Sequence, residues 1–130
     1  MVVADASVLV ELLLLGPASA LMEQRLFGAG ETVHAPHLMD VEVAHGIRRG
    51  VLRGTVTPER GSQAVTDLGN LAVTRYPHDV FLGRIWGLRA NVTAYDAVYI
   101  ALAEALGAPL VTRDRRLASA KGHRAKVELV

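Results

Sequence analysis

Short apolar runs alternate with longer stretches of helical periodicity along the whole chain, and that alternation restricts the fold more than any other feature. Val2-Val3-Ala4 reads as a short buried strand and Ser7 to Leu15 as a helical segment. A second helix is expected over Pro17 to Phe27, with Pro17 suited to its first turn and Gly28-Ala29-Gly30 ending it. Residues Glu31 to Ala35 form a strand candidate, Leu38 to Leu52 a helix closed by Gly54, and Pro58 to Asn70 another helix. The pattern continues with a strand at Leu71 to Tyr76, a short helix at Val80 to Leu88 and a clear helix at Ala94 to Leu106. Strands at Leu110 to Thr112 and Val127 to Leu129 complete it. Strands separated by helices imply right-handed βαβ crossovers, hence a mainly parallel sheet with helices on both faces, an α/β fold.

At 130 residues this is one domain, 1–130, long enough to bury a core without staples. With 51% hydrophobic and 21% charged residues, disorder is not expected. The absence of cysteine excludes disulfides, thiolate zinc sites and cysteine nucleophiles, and fits a reducing cytoplasm. A net charge of +1 excludes an overall basic field, so any nucleic-acid contact must come from local patches. The apolar start lacks a basic n-region and is interrupted by Asp5 and Glu11, which excludes a signal peptide. The charge-free stretch Leu12 to Met22 contains Gly16 and Pro17 and falls short of the ~18 apolar residues a membrane span needs, so a soluble chain is expected. Gly46, Gly50 and Gly54 have the spacing of a membrane dimerisation motif, but Arg48, Arg49 and Arg53 lie between them, so close helix packing is the expected role.

Four acids, Asp5, Glu42, Asp96 and Asp114, each stand where a strand ends or a helix begins. In an open α/β sheet those places share one edge, and ligands bind there. Carboxylates gathered at that edge repel: at ~4 Å and an effective dielectric of about 20, one pair costs on the order of 4 kcal/mol. A hard divalent cation, which takes oxygen ligands, would relieve that repulsion.

Each acid also has a plainer role open to it. Asp5, in Val3-Ala4-Asp5-Ala6-Ser7, can cap the next helix as readily as it can direct oxygen groups into a site. Thr93-Ala94-Tyr95-Asp96 is a capping box, a role compatible with holding a cation. Asp40 and Glu42 lie about 200° apart on an ideal helix, so one at most faces a site, and periodicity leaves open which. Asp114 sits among Arg113, Arg115 and Arg116, which can engage phosphates or form a solvated turn with ion pairs worth little. The five histidines lack zinc-binding spacing, Ser7 lacks a GxSxG context, and there is no P-loop. Aromatic residues, at 5%, are sparse for a binder built on base stacking alone.

Together these strings resemble the PIN-domain ribonucleases, specifically the VapC-type toxins of bacterial toxin–antitoxin pairs. The matching residues are Val2-Val-Ala-Asp5-Ala-Ser7, Pro36-His-Leu-Met-Asp-Val-Glu42-Val, Thr93-Ala-Tyr-Asp96-Ala-Val-Tyr-Ile-Ala-Leu-Ala-Glu104 and Leu110-Val-Thr112-Arg-Asp114-Arg-Arg-Leu117, in the family's order and spacing. The resemblance implies a three-layer α/β/α sandwich with a parallel sheet of about five strands. It implies a Mg²⁺- or Mn²⁺-dependent endoribonuclease whose acids fall on Asp5, Glu42, Asp96 and Asp114, choosing Glu42 over Asp40, with Ser7 and Thr112 as supporting hydroxyls. Asp5 and Asp96 would be direct ligands, Glu42 and Asp114 ligands or orienters of water, and Arg113, Arg115 and Arg116 phosphate contacts. It also implies a homodimer and a VapB-type antitoxin covering the active site, for which the helices at Pro17–Phe27 and Leu38–Leu52 are candidate groove walls.

Rival readings are a non-catalytic RNA-binding or regulatory module and a metal-dependent phosphoryl-transfer domain. A haloacid-dehalogenase-type enzyme needs a second Asp where Ser7 stands. A receiver domain needs a late strand-end Lys where Thr112-Arg113 stands.

Overall fold

The sheet is built from five strands in the order β3-β2-β1-β4-β5, every neighbouring pair parallel. The structure, a computed structural model, describes residues 1–28 and 30–130. Strand β1 spans Val2–Ala4, β2 Val33–Pro36, β3 Val73–Tyr76, β4 Leu110–Thr112 and β5 Val127–Leu129. The helices are α1 Ala6–Leu13, α2 Ser19–Phe27, α3 Leu38–Leu52, α4 Pro58–Asn70, α5 Leu82–Gly87, α6 Ala94–Leu106 and α7 Arg115–Ala118.

This order fixes the layers. From β1 the chain steps outward to β2 and β3, so right-handed crossovers put α1 to α4 on one face. It then returns across the sheet to β4 and steps the other way to β5, which puts α5, α6 and α7 on the opposite face. Contacts agree: α1 packs on α2 and α3, and α3 on α4, while α5 packs on α6. The progression reverses between β1 and β4. That makes the carboxyl ends of these two strands a topological switch point, the crevice where open α/β sheets bind ligands.

The central strands are buried on both faces, as an all-parallel sheet requires; all of Val2, Val3, Ala4, Leu110 and Val111 are fully buried. Helix α6 presses on β1 and β2 and is buried continuously from Ala97 to Ala103. Its bounds, like those of α3 and α4, coincide with the sequence expectation. Thr57 and Thr93 cap α4 and α6 by accepting backbone N–H bonds at 3.1 Å, and Gly107 ends α6 in the left-handed conformation.

Other boundaries shifted. Helix α1 stops at Leu13 and not Leu15, because Leu15 takes a positive φ of 53°. Helix α2 starts at Ser19, two residues after Pro17. Of the expected Gly28-Ala29-Gly30 stop, Gly28 is the C-cap of α2, while Ala29 lies outside the described residues. Strand β2 extends through Pro36, and the expected helix at Val80–Leu88 is divided into a 3-10 turn at Asp79–Phe81 and α5. Helix α7 was not anticipated; four residues give too little periodicity to read. No helix among the described residues is long and apolar enough to cross a membrane.

The glycine spacing in α3 is a packing device. A Cβ on Gly46 would stand 2.8 Å from Val10 Cγ2 of α1, and one on Gly50 2.8 Å from Val56 Cγ2. Gly46→Leu should therefore destabilise the fold by about 2 kcal/mol. Gly69→Ala, in open space near the end of α4, should be neutral or stabilising by a few tenths of a kcal/mol. Urea unfolding midpoints check both; equal effects would contradict the close approach of α1 and α3.

Candidate active site

Strand β1 ends at Asp5, whose extended backbone lets its carboxylate cap α1. Oδ1 accepts the Ser7 N–H at 2.7 Å and the Ser7 hydroxyl, and Oδ2 accepts the Thr112 hydroxyl at 2.6 Å. Both hydroxyls act twice. Ser7 Oγ accepts the Arg113 N–H and Thr112 Oγ1 the Asp114 N–H, each at 2.9 Å. Asp5 is thus 6% exposed yet met by three donors, only one of them on Oδ2, and it stitches the ends of β1 and β4 together at the switch point. Capping and facing the shared edge are not alternatives for this residue.

Asp114 caps the unanticipated α7, its Oδ1 accepting the Arg116 N–H at 2.8 Å. Asp96 opens α6 above the Thr93 cap. Glu42 reaches the same edge from α3 and accepts the Tyr99 hydroxyl at 2.6 Å. Asp40 turns away: Arg75 grips both its oxygens, at 2.7 and 2.9 Å, and also donates to the Leu68 carbonyl. The structure thus gives the two acids of α3 different partners, and Glu42 is the one within electrostatic reach of Asp5 and Asp96.

The acids bear the mark of one another. Burial, followed by the charges of Asp114 and Asp5, raises the Asp96 carboxyl above its ordinary value. Burial raises Glu42 against the Tyr99 hydrogen bond, with Asp96 and Asp5 adding to the rise. Asp5 is also raised by burial, partly offset by Ser7 and Thr112. Tyr99 is held firmly protonated by burial and by the Glu42 charge, so it acts as a donor. Sequence reasoning missed Tyr99; its place three residues after Asp96, on the same side of α6, was the available signal.

The donor chemistry fits a hard divalent cation: all oxygen, excess negative charge and, among the described residues, no cation at the four acids except Arg116, 3.7 Å from Asp114. No three His, Cys, Asp or Glu side chains among the described residues wrap a single point.

Of the three arginines after β4, Arg113 is engaged with Glu11 at 3.0 Å. Glu11 also accepts the Ala18 N–H at 2.8 Å, so one acid of α1 ties down both the start of α2 and the loop carrying Asp114. Arg115 and Arg116 are exposed. Beside the acids runs a groove of about 820 Å³, floored by Val10 and Leu38 and edged by Glu42, His45 and Tyr95. Its walls are α1 and α3. Helix α2 packs behind α1 and contributes no lining residue to this groove.

A family model described as "PIN domain" matches residues 2–122. Ribonuclease VapC12 of Mycobacterium tuberculosis is 47% identical over 130 residues, covering 100% of this chain and 99% of its own length. The chain belongs to the PIN-domain family, in its VapC branch. VapC ribonuclease Mb0985 of Mycobacterium bovis is 48% identical over 118 residues, covering 90% of this PIN domain and 88% of its own length. PAE2754 from Pyrobaculum aerophilum matches with a TM-score of 0.69 at 24% identity, over 97% of this chain and 81% of its own. VapBC2 from Rickettsia felis, solved with a DNA fragment from its promoter, matches with a TM-score of 0.69 at 15% identity, over 99% and 98%. At those identities the two structures speak for the fold of the PIN domain alone.

The raised carboxyls carry a stability consequence. A carboxyl whose folded pKa exceeds its unfolded value stabilises the fold while protonated, and that contribution is lost as pH rises through the folded value. In metal-free PIN domain at pH 7, Asp96→Asn should therefore be more stable than the parent by on the order of 1 kcal/mol after solvent screening, a few degrees in Tm. The difference should vanish below the unfolded aspartate value of about 3.9. Thermal melts across that range check it; a variant less stable than the parent at pH 7 would contradict mutual repulsion among the acids.

Proposed function

We propose that this PIN domain is an endoribonuclease toxin, which hydrolyses RNA phosphodiester bonds at the acidic edge of its sheet and is neutralised by a cognate VapB-type antitoxin. The supporting observation is that hydroxyl-held Asp5 raises both Glu42 and Asp96 by its charge, and Asp114 raises Asp96, so these acids lie within electrostatic reach of one another beside the switch point between β1 and β4. Asp5 and Asp96 would hold Mg²⁺ or Mn²⁺, with Glu42 and Asp114 as further ligands or orienters of water. The metal, when bound, supplies Lewis-acid charge that lowers the pKa of a nearby water and neutralises charge developing on the phosphoryl group.

The chain's own residues do the positioning. Tyr99 occupies Glu42 Oε2, which leaves Oε1 to accept a proton from the attacking water. A raised carboxyl is the better base near neutral pH, because Brønsted efficiency grows as the pKa approaches the working value. Ser7 and Thr112 spend their hydrogen bonds within the frame, so their role is to fix Asp5 and the Thr112–Asp114 turn. Arg115 and Arg116, both exposed, would meet phosphates, whereas Arg113 would work through its pairing with Glu11.

The antitoxin would act by covering the acids, and the setting for toxin and antitoxin alike is the cytoplasm. A homodimer completes the proposal. The exposed Val80, Leu82 and Trp86, close together at the 3-10 turn and α5, offer an apolar surface for it.

The test is cleavage of a mixed RNA pool by purified, partner-free protein with and without Mg²⁺ or Mn²⁺. Asp96→Asn and Glu42→Gln should each lower cleavage by about a hundredfold or more. Asp40→Asn should keep it, losing roughly 0.5–1 kcal/mol of stability with the partly exposed Arg75 pair. Metal-independent cutting, or equal losses for Asp40→Asn and Glu42→Gln, would overturn the assignment.

A further inference from the structure

The acids pose a problem for any polyanion: a phosphate backbone approaching four carboxylates is repelled. Attraction must come from remote contacts, as binding energy at a distance commonly serves a reacting centre. Most arginines here are already committed. Arg25, Arg60, Arg75, Arg84, Arg113, Arg116 and Arg124 all have acidic partners within 4.0 Å. On α3 the pattern differs. His45, Arg49 and Arg53 recur every four residues, all exposed, all lining the groove that starts at Ser7 and Glu42. Among the described residues none of the three has an acidic partner.

Resting on the ribonuclease reading, we propose that this row is the substrate rail: single-stranded RNA lies along the α1–α3 groove with successive phosphates on His45, Arg49 and Arg53. Four residues of helix rise ~6 Å, so the three side chains step along the groove at intervals comparable to one extended nucleotide. Gly46 and Gly50 line the same groove between them and put no side chains in it. At the end beside Asp96, Tyr95 is 63% exposed and presents an aromatic face on which a base can stack. Val10, Leu38 and Val41 supply the apolar floor under the bases. Charge decides the occupant. Two unpaired arginines one turn apart, with the donor of His45 in line, are complementary to a phosphate chain, and make a protein segment the competing outcome.

The experiment measures binding of a fluorescent single-stranded RNA to the Asp96→Asn protein in Mg²⁺ across a salt series. Arg49→Gln with Arg53→Gln should raise Kd about tenfold or more and flatten the log Kd against log salt slope by about 0.7 per cation removed. Tyr95→Ala should raise Kd about tenfold with the slope unchanged. Arg48→Gln removes an equally exposed charge from the same helix outside the groove, and should alter neither quantity. Unchanged affinity and slope in the Arg49/Arg53 variant, or an equal effect from Arg48→Gln, overturns the rail and leaves the groove to a protein partner, with the ribonuclease untouched. If the Asp96→Asn protein binds no RNA and the unsubstituted protein cuts none, the ribonuclease reading falls and the rail with it.

Discussion

The buried carboxylate of Asp5 is the interaction on which the site depends. A charge removed from water is costly unless hydrogen-bonded, and Asp5 meets that condition with the Ser7 N–H and two hydroxyls. Those hydroxyls come from α1 and β4, and each passes its acceptor side to a backbone N–H of the turn after β4. One side chain thus caps a helix, clamps two strands at the switch point and fixes the turn that carries Asp114. The acidic edge exists because β1 and β4 end together there.

Around that anchor the charges are sorted rather than scattered. Acids with structural work are paired: Asp40 with Arg75, Glu11 with Arg113, Glu104 with Arg84. Glu42 is instead partnered by a neutral phenol, which holds it in place without cancelling its charge. Cations on α3 are left bare along the groove. Negative charge concentrated at one end of a groove and positive charge along it is poor for stability of the isolated chain. It suits a polyanion that meets a metal at the end where it is cut.

Much of this was legible in the sequence, for identifiable reasons. Helix α6 carries both a threonine cap and a glycine end, α4 a threonine cap followed by Pro58, and α3 a closing Gly54 at positive φ, so these limits are signalled locally. The parallel α/β class followed from alternation alone. What local periodicity left open depended on partners distant along the chain. Asp40 and Glu42 differ by which residue meets them, Arg75 or Tyr99, and neither pairing is visible in local periodicity. Nor is the close approach of α1 to α3, where Gly46 admits Val10. Helix α7 escaped because its one strong signal, Asp114 at the N-cap, was already read as a site acid.

The most direct test of the acidic site is Mn²⁺ binding to metal-free protein, followed by electron paramagnetic resonance of the free ion. Saturable binding is expected in the parent and in Asp40→Asn, and should weaken by about tenfold or more in Asp5→Asn and Asp96→Asn. Binding that survives loss of Asp5 and Asp96, or no saturable binding in the parent, would contradict the convergence of these carboxylates on a cation.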